Sequence, residues 1–373
     1  MDNLITYVFG NGRNDKLQKK DSFASEFFYG YVELQKEFSQ IKIIENNSSK
    51  PKKFSSILIF LDKVLRKLTN LPFFTSEICS YENFKKVLKT DLLIITNDRL
   101  AVSLMPLLLV GKILKTIDSC VFVMGLFGKP KIKFLGFIQS FFILLLLKIN
   151  NNFFFLGKGE YDHAIKNYKK YAKKFHYVPF CVDTNSWTKD LSTDIDISKY
   201  QSDVLFIGND GNRDYKIIVE IAESMPHYQF NVLTSQMNNI KNIPSNLRLI
   251  KSNWNESLLS DTDIMKFYRN TKISIIPLIE SLQPSGQSVA LQSMINKVPV
   301  MITKTKGFWD KEIFHDKKNI IFVESNELKM WKASIEELIK DEKLKETVSN
   351  NAFKIVNDSL NMVTFIDKLR KFI

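Results

Sequence analysis

Short runs of apolar residues, mostly β-branched or aromatic, alternate with longer helical patterns through the first half of the chain. Each run is apolar at consecutive positions, which predicts a strand buried on both faces of a parallel sheet. We predict such strands at residues 4–8, 41–44, 91–96, 120–124 and 152–156. We predict helices between them, at residues 26–38, 55–68, 100–114 and 134–149. A series of strand–helix units is typical of an α/β domain.

The second half of the chain has the same alternation. We predict strands there at residues 203–207, 229–234, 247–250, 273–277 and 298–302. Helical spacing occurs at residues 215–223, 263–270, from Ser288 onward, 327–340, 343–356 and 363–372. The second half therefore predicts another parallel sheet with its own helices.

A polar segment separates the two halves. Residues 183–202 are rich in Ser, Thr, Asp and Asn and lack a sustained period, so we expect a hinge there. A chain of 373 residues with 45% hydrophobic content is long enough for two cores. We therefore predict an α/β protein with two Rossmann-like βαβ domains that face each other across a cleft. Their bounds are 1–182 and 203–356, and a closing helix follows at 357–373.

The formal net charge of +13 predicts attraction to polyanions, which include nucleic acid, anionic lipid headgroups and phosphorylated substrates. No zinc-finger spacing, RNA-binding aromatic signature or helix-turn-helix pattern occurs, so we expect no nucleic-acid partner. The cysteines, Cys79, Cys120 and Cys181, have no metal-ligand spacing and are too few for a disulfide framework. The first ten residues do not have the pattern of a signal peptide. We therefore expect a cytoplasmic protein.

Residues 134–149 are the most apolar segment of the chain, FLGFIQSFFILLLLKI. The segment is shorter than the ~20 residues that cross a hydrocarbon core, so we do not expect it to span a membrane. A packed core helix is one interpretation. The other is a helix whose outer face enters a bilayer interface, helped by Lys129, Lys131 and Lys133 before it.

The sequence PSGQSVALQSMINKVPVMIT, residues 284–303, predicts a loop, a helix and a buried strand. Ser285, Gly286, Gln287 and Ser288 offer hydroxyl, amide and backbone N–H donors where the helical spacing begins. The N-terminus of a helix binds anions because its N–H groups are free and its dipole is positive there. This loop is therefore a predicted phosphate site.

A second polar turn, GNDGNRDY, follows the predicted strand at residues 203–207. Gly208 and Asn209 stand at the end of that strand, and Arg213 lies at the start of the next helix. The planar guanidinium of arginine suits a diphosphate. An ordinary turn with Asn, Asp and Gly at its bends is the alternative.

In the first half, polar residues follow two predicted strands and are expected to face the cleft. Gly10, Asn11, Gly12 and Arg13 follow the first strand, and a tight turn is the alternative for them. Asp98 follows the strand at residues 91–96. We select Asp98 as a candidate acceptor contact or catalytic base.

Two acidic triplets resemble the motif of metal-dependent sugar transferases. The first, residues 194–196, lies in the predicted hinge, and the second, residues 261–263, is well placed to cap a helix. We therefore expect no bound metal.

Taken together, three stretches of the chain resemble the C-terminal half of GT-B glycosyltransferases of family 4. These stretches are FIGNDGNRDY, IIPLIESLQPSGQSVALQSMINKVPVMITKTKGFWD and VPFCVDTNSW. The resemblance covers roughly residues 175–345, and the first half agrees only in the order of its strands and helices. It implies that Gly286, Gln287, Ser288 and Arg213 hold the diphosphate of a nucleotide.

The sequence departs from this family at two positions. The family has two glutamates eight positions apart across the loop and helix, the first for the donor sugar and the second for the ribose hydroxyls. Matching LQSM to the family's Leu-Glu-Ala-Met places Pro284 and Gln292 at these positions. Gln292 can still hydrogen-bond hydroxyls, whereas Pro284 cannot replace a carboxylate. Glu280 is the nearest substitute, and a solvated loop acid is its alternative.

The resemblance implies a metal-independent glycosyltransferase of hexosyltransferase type, without a cofactor. It would move a sugar from a UDP- or GDP-linked donor to a hydroxyl acceptor. The family suggests retention at the anomeric carbon, but because both glutamates are replaced here, inversion stays an alternative. The charge and the apolar segment fit a glycan or lipid-linked acceptor in bacterial envelope or exopolysaccharide synthesis. They also fit an anionic membrane surface as a partner, at the cytoplasmic face of the inner membrane. The alternatives are a nucleotide-sugar epimerase and a degenerate nucleotide-sugar binding protein.

Overall fold

The computed structural model describes residues 4–18, 24–46, 55–128, 136–191, 197–238, 240, 242–253 and 258–373. The basic segment that precedes the predicted apolar helix and the acidic triplet at 194–196 lie outside the described residues. The chain forms two compact units. The N-terminal unit comprises residues 1–20, 28–179 and 368–373, and the C-terminal unit comprises residues 21–27 and 180–367.

The N-terminal unit is built on a parallel sheet of six strands in the order β2-β1-β3-β4-β5-β6. The strands are β1 (Ile5–Phe9), β2 (Ile41–Glu45), β3 (Leu92–Ile95), β4 (Asp118–Val123), β5 (Asn152–Phe155) and β6 (Phe175–Tyr177). Most of their residues are buried, as expected for strands covered on both faces.

Helices connect these strands. Their bounds are α1 (Arg13–Gln18), α2 (Tyr31–Leu34), α3 (Ser55–Thr69), α4 (Thr75–Ile78), α5 (Tyr81–Lys89), α6 (Asp98–Leu114), α7 (Gly136–Ile149) and α8 (Lys158–Asn167). Short 3₁₀ segments occur at Ser25–Phe28, Lys169–Lys174 and Arg370–Phe372. Side chains of α6, α7 and α8 share one core with the inner residues of β3, β4 and β5.

The C-terminal unit has a second parallel sheet of six strands, in the order β12-β11-β10-β7-β8-β9. The strands are β7 (Ser202–Ile207), β8 (Phe230–Leu233), β9 (Leu247–Ile250), β10 (Thr271–Ile276), β11 (Val300–Thr303) and β12 (Ile321–Val323). The helices are α9 (Thr184–Trp187), α10 (Tyr215–Ser224), α11 (Asp261–Arg269), α12 (Gln287–Ile295), α13 (Leu328–Lys340), α14 (Glu342–Ser359) and α15 (Met362–Leu369).

The prediction of two parallel sheets with connecting helices is confirmed, and most predicted elements lie within a few residues of the observed ones. The helix predicted at residues 26–38 is wrong. Tyr29 and Gly30 have positive φ angles of 50° and 85°, which a continuous helix does not allow, so only a 3₁₀ turn and α2 form. The edge strands β6 and β12 were not predicted, because three residues carry too little periodicity.

The unit boundaries differ from the expected domains in three places. The segment predicted as a hinge, 183–202, belongs to the C-terminal unit, which begins at residue 180. The C-terminal unit also includes a segment from near the N-terminus, of which residues 24–27 are described. The predicted closing segment, 357–373, is divided between the two units. Residues 357–367 belong to the C-terminal unit, and residues 368–373 belong to the N-terminal unit.

Asn246 connects α10 to the sheet of the C-terminal unit. Its side-chain amide is buried and donates to the carbonyl oxygens of Ala222, Met225 and Tyr228, at 3.0, 3.1 and 2.8 Å. The backbone carbonyl oxygen of Asn246 accepts a hydrogen bond from Phe230 N at 2.8 Å. One side chain therefore holds the end of α10 and the loop that follows it against the segment before β9.

We expect Asn246→Asp to destabilise the C-terminal unit by about 3 kcal/mol, because a carboxylate oxygen would face three carbonyl oxygens in a buried position. Urea unfolding followed by tryptophan fluorescence measures this, since all four tryptophans lie within residues 180–367. The control is Asn238→Asp, an exposed position where the amide donates to one carbonyl. Equal stability of the two variants would contradict this role.

Candidate functional site

The N-terminus of α12 lies in the C-terminal unit, at the carboxyl ends of β7, β10 and β11. Gly286 precedes the helix in the left-handed conformation, with φ 84° and ψ −5°, and no side chain caps the first N–H groups. A Cβ at Gly286 would lie 2.9 Å from Cγ2 of Ile276, so a larger residue would be both strained and too close. A glycine at the N-cap has no side chain that could cover this helix end, and the helix dipole is positive there, which favours an anion.

The guanidinium of Arg213 lies beside this helix end. A Cβ built on Gly286 would be 3.5 Å from its Nη1, and one built on Gly208 would be 2.6 Å from its Nε. Glycine at both positions therefore leaves room for the arginine. The two loops are therefore in contact in the folded unit, and their joint role in holding a diphosphate stays a prediction.

Arg213 carries a buried charge that the protein compensates only in part. The residue is 4% exposed, and Asp210 Oδ2 lies 3.3 Å from Nη1. Among the described residues, Nε and Nη1 have no hydrogen-bond partner. Burial lowers the pKa of Arg213 from its ordinary value. A buried donor without a partner costs about 1–3 kcal/mol, and more when it is charged, so a bound anion would recover this energy.

Backbone and amide hydrogen bonds hold the two loops together. Ile279 N donates to Asn212 O at 2.8 Å, and Asp214 N donates to Pro277 O at 3.1 Å. The side chain of Asn212 donates to Ser285 Oγ at 2.8 Å and to Gln283 Oε1 at 2.9 Å. The position of Arg213 against α12 is thus fixed before any ligand arrives, which lowers the cost of binding.

The outer part of the same loop contains Glu280. Its side chain is exposed, and Oε1 accepts from Lys306 N at 3.0 Å. Gly307 N donates to Ser281 O at 2.9 Å, and a Cβ at Gly307 would lie 2.5 Å from the carbonyl carbon of Leu282. The segment after β11 therefore supports the loop that precedes α12.

The other predicted donor-binding residues have different surroundings. Asn209 is engaged by the loop after β8, because its Oδ1 accepts from Ser235 N at 2.7 Å. Gln287 is buried, whereas Ser288 is half-buried in the first turn of α12. Both polar atoms of the Gln292 amide are hydrogen-bonded within the protein. Its Nε2 donates to Glu26 Oε1, and its Oε1 accepts from the hydroxyl of Tyr268. Its predicted contact with ribose hydroxyls stays a prediction.

Glu26 is a buried acid that the sequence reasoning missed. Its Oε1 accepts from Trp187 Nε1 and from Gln292 Nε2, both at 2.9 Å, and its Oε2 accepts from Asp183 N at 3.2 Å. Burial raises the pKa of Glu26 to about 7, against the lowering effect of the hydrogen bonds from Gln292 and Trp187. No local motif marks this glutamate, because its partners lie more than 150 residues away in the chain.

In the N-terminal unit, the candidate loop of Gly10, Asn11, Gly12 and Arg13 follows β1 and runs into α1. Gly12 has a positive φ of 87°, as a tight turn requires. Glu45 Oε1 accepts from Arg13 N at 2.5 Å, at the end of the neighbouring strand β2. The loop therefore lies at the carboxyl end of its sheet, and its predicted position at the cleft stays a prediction.

Asp98 lies at the start of α6, and its carboxylate is buried. Its Oδ1 accepts from Met124 N at 3.0 Å, and burial raises its pKa. Glu160, which the sequence reasoning missed, accepts from Gly125 N at 2.9 Å and Phe127 N at 3.3 Å. Burial, with the nearby charge of Asp98, raises the pKa of Glu160 to about 8. These contacts favour a role for both acids in holding the loop after β4.

Residues 261–263 form the first turn of α11, and Asp263 takes part in the cap of this helix. The side chains of Ser260 and Asp263 form a capping box at the start of α11, and Asp261 Oδ2 accepts from Ala24 N at 2.8 Å. Among the described residues, no group of three or more His, Cys, Asp or Glu side chains is placed to hold a metal ion.

We expect the stability of the C-terminal unit to fall as the pH rises from about 4.5 to about 7, in part because of Glu26. Its pKa is higher in the folded unit, which therefore holds a proton that the unfolded chain releases. The Glu26 contribution is about 3 kcal/mol over this range. Glu26→Gln keeps an acceptor for Trp187 and Gln292 and removes the titration.

Urea unfolding at several pH values, followed by tryptophan fluorescence, measures the difference between wild type and Glu26→Gln. The other buried acids are the same in both proteins, so their contributions cancel when the unfolding free energies of the two proteins are subtracted at each pH. Glu324→Gln, at a side chain that is 62% exposed, controls for a general effect of replacing glutamate by glutamine. An unchanged pH slope in Glu26→Gln would contradict the assignment.

Residues 256–355 match the family model for glycosyl transferases group 1. This segment contains the loop before α12 and α12 itself, and it begins after the turn that holds Arg213. No curated protein matches the sequence significantly.

Solved structures resemble the chain over almost its whole length. HepE from Anabaena, in complex with UDP-glucose, has 11% identity and a TM-score of 0.66, with 98% of each chain covered. A glycosyltransferase from Rickettsia africae has 13% identity and a TM-score of 0.62, covering 99% of this chain and 97% of that one. Sucrose-phosphate synthase from Thermosynechococcus elongatus has 8% identity and a TM-score of 0.66, covering 99% and 98%. The chain therefore carries a glycosyl transferases group 1 segment, residues 256–355, within a fold of the GT-B type.

Proposed function

We propose that this protein is a glycosyltransferase that moves a sugar from a nucleotide-diphosphate donor to a hydroxyl acceptor without a bound metal. The observation that carries the proposal is the buried guanidinium of Arg213, with two nitrogens that lack hydrogen-bond partners among the described residues. It lies beside the N-terminus of α12, where the N-cap residue is a glycine. Donors of this kind suit the oxygens of a diphosphate. UDP is the first candidate, because HepE was solved with UDP-glucose, and GDP is the second.

The same groups would assist the chemical step. When the bond between the sugar and the diphosphate breaks, negative charge grows on the leaving diphosphate. Arg213 and the N–H groups of α12 are already in place and largely buried, so they stabilise this charge with little rearrangement. In our proposal they replace the cation that other sugar transferases use.

Glu280 is our candidate for the carboxylate at the donor sugar. It stands on the loop before α12, its side chain is exposed, and one oxygen binds the backbone of Lys306. This arrangement leaves the second oxygen for a sugar hydroxyl. Asp98 remains a candidate acceptor contact, although its carboxylate already binds Met124 N and is buried. Retention at the anomeric carbon, with hexose as the sugar, is part of the proposal.

For the acceptor we propose a glycan or a lipid-linked glycan of bacterial envelope or exopolysaccharide synthesis. The net charge of +13 favours an acceptor that carries phosphate or lies at an anionic surface. No helix within the described residues is long and apolar enough to cross a membrane. Our proposal therefore has the enzyme in the cytoplasm, and at the inner face of the membrane when it acts on a lipid-linked acceptor.

We expect Arg213→Met to weaken UDP or GDP binding at least ten-fold, because the variant loses charge-assisted hydrogen bonds to the diphosphate. Without nucleotide, its melting temperature should equal or exceed that of the wild type, since an incompletely compensated buried charge is removed. Calorimetry measures the affinity, and melting with and without nucleotide measures the stabilisation by the ligand.

The matched control is Lys216→Met, which removes a positive charge three residues later at a side chain that is 87% exposed. It should bind nucleotide like the wild type. If Arg213→Met bound as tightly as Lys216→Met, the site assignment would be wrong. If Arg213→Met instead melted at a much lower temperature without ligand, its role would be structural.

Incubation with UDP- and GDP-sugars tests the reaction class. We expect slow release of free sugar without an acceptor, and Glu280→Gln should reduce this release at least ten-fold with unchanged nucleotide affinity, because the glutamine amide oxygen can still bind Lys306 N. Formation of an epimeric nucleotide-sugar would support the epimerase instead. Tight binding with no product from any donor or acceptor would support a binding protein.

A further inference from the structure

Three helices of the N-terminal unit carry most of the exposed large apolar side chains of the described residues. They share helical spacing on the outer side of α3, α6 and α7, and we call this surface the apolar helical face. Its residues are Ile57, Phe60 and Leu61 on α3, Val110, Ile113 and Leu114 on α6, and Phe137, Phe141 and Leu144 on α7.

The three helices are neighbours. α7 packs against both α3 and α6, and each helix turns other side chains toward the same core, such as Leu65, Leu104 and Leu146. Residues that are exposed on these helices therefore project away from the sheet, on one side of the unit. Ile113 is 82% exposed, and Phe137 is 66% exposed.

A helix on the surface of a water-soluble domain normally has one apolar stripe, toward the core, and a polar outer side. Here α6 and α7 are apolar on both sides, and α3 leaves part of its one apolar stripe exposed at Ile57, Phe60 and Leu61. Exposed apolar surface of this extent marks an interaction site with a protein or a membrane.

The charge around the apolar helical face favours a membrane. Asp62 and Asp98 are the acids within α3, α6 and α7, and both are buried, whereas Glu82 is an exposed acid on the neighbouring α5. Exposed lysines lie on the same helices or on α5, which packs against α6. They are Lys63, Lys67, Lys148, Lys85, Lys86 and Lys89. Basic side chains around an apolar surface suit anionic headgroups, at roughly 1 kcal/mol for each residue near the bilayer.

A second copy of this chain is a poorer partner for the apolar helical face. It would bring the same lysines of two molecules together, in a chain whose net charge is already +13. The charge would then oppose the contact that the apolar side chains favour. An anionic lipid surface would accept the apolar side chains and would also attract the lysines.

The geometry fits a protein that lies on the membrane. α7 has 14 residues, which gives it a length of roughly 21 Å, against about 30 Å for the hydrocarbon core. Its buried side packs in the core of the unit, so only the outer side chains could enter the bilayer. Penetration by side chains to the level of the glycerol region is typical of interfacial helices.

We infer that the apolar helical face of α3, α6 and α7, with its basic rim, docks this protein onto an anionic membrane surface. The inference goes beyond the proposed transfer reaction, and it stands on residues of the N-terminal unit alone. It deepens the acceptor proposal, because a protein held on a membrane meets lipid-linked acceptors there.

Flotation with liposomes tests the inference with the full chain. We expect the wild type to float with vesicles of phosphatidylglycerol and phosphatidylcholine at low salt. It should float much less with phosphatidylcholine alone, and less at 1 M salt, because screening weakens the lysine contacts. No flotation with the anionic vesicles at low salt would overturn the inference.

Two sets of variants separate the apolar and the basic contributions. The triple variant Phe60→Ser, Ile113→Ser and Phe141→Ser should lower the bound fraction at least ten-fold, because three exposed apolar anchors are lost. The triple variant Lys63→Glu, Lys67→Glu and Lys148→Glu should lose its preference for anionic vesicles. Flotation of both variants like the wild type would contradict the inference.

The control variant is Val363→Ser with Lys216→Glu, which alters an exposed apolar and an exposed basic residue of the C-terminal unit. It should float like the wild type. All replaced side chains are exposed, so the melting temperature of each variant should stay near that of the wild type. An equal loss of flotation in the control would show a non-specific charge effect and overturn the inference.

Light scattering without lipid distinguishes a self-association surface. If the wild type were a dimer that the triple serine variant made monomeric, and neither bound vesicles, the partner would be a second copy and not a membrane. Nucleotide binding, measured in the same samples, keeps the two proposals separate. Flotation without nucleotide binding would reject only the proposed function, and nucleotide binding without flotation would reject only the docking surface.

Discussion

The candidate site of this protein depends on one unfavourable arrangement, the burial of the Arg213 guanidinium with incomplete compensation beside the N-terminus of α12. Folding removes the guanidinium from water. The ion pair with Asp210 replaces only part of the interaction with water that is lost. The hydrogen bonds of Asn212 and the close contacts at Gly208 and Gly286 hold it there. The folded protein therefore holds the guanidinium in position before an anion binds, and the anion would supply the missing interactions.

Buried carboxylates elsewhere in the molecule differ from Arg213, because N–H groups of the backbone or of side chains donate hydrogen bonds to them. Asp98 and Glu160 bind the loop after β4, and Glu26 connects a short N-terminal segment to α9 and α12. Asp98 and Glu160 hold a loop against helices α6 and α8, and Glu26 holds a short 3₁₀ segment against α9 and α12. Glu26 also contacts the helix whose N-terminus forms the candidate site, so the two features share one element.

The two units divide the proposed tasks. In the C-terminal unit, glycine and arginine chemistry at the carboxyl ends of β7 and β10 suits a nucleotide diphosphate. In the N-terminal unit, the helices on one side of the sheet expose apolar and basic side chains to solvent. A donor that is soluble and an acceptor that lies in a membrane would require these two kinds of surface on one chain.

The sequence by itself determined both parallel sheets, nearly all of their strands, and the loop and turn of the candidate site. These features depend on local patterns, such as consecutive apolar residues and a glycine before a helix. Only the tertiary structure decided that Nε and Nη1 of Arg213 have no hydrogen-bond partner among the described residues. It also decided that Gln292 binds Glu26 and that three helices share one exposed apolar side. Each of these depends on contacts between residues far apart in the chain, and no local pattern records such contacts.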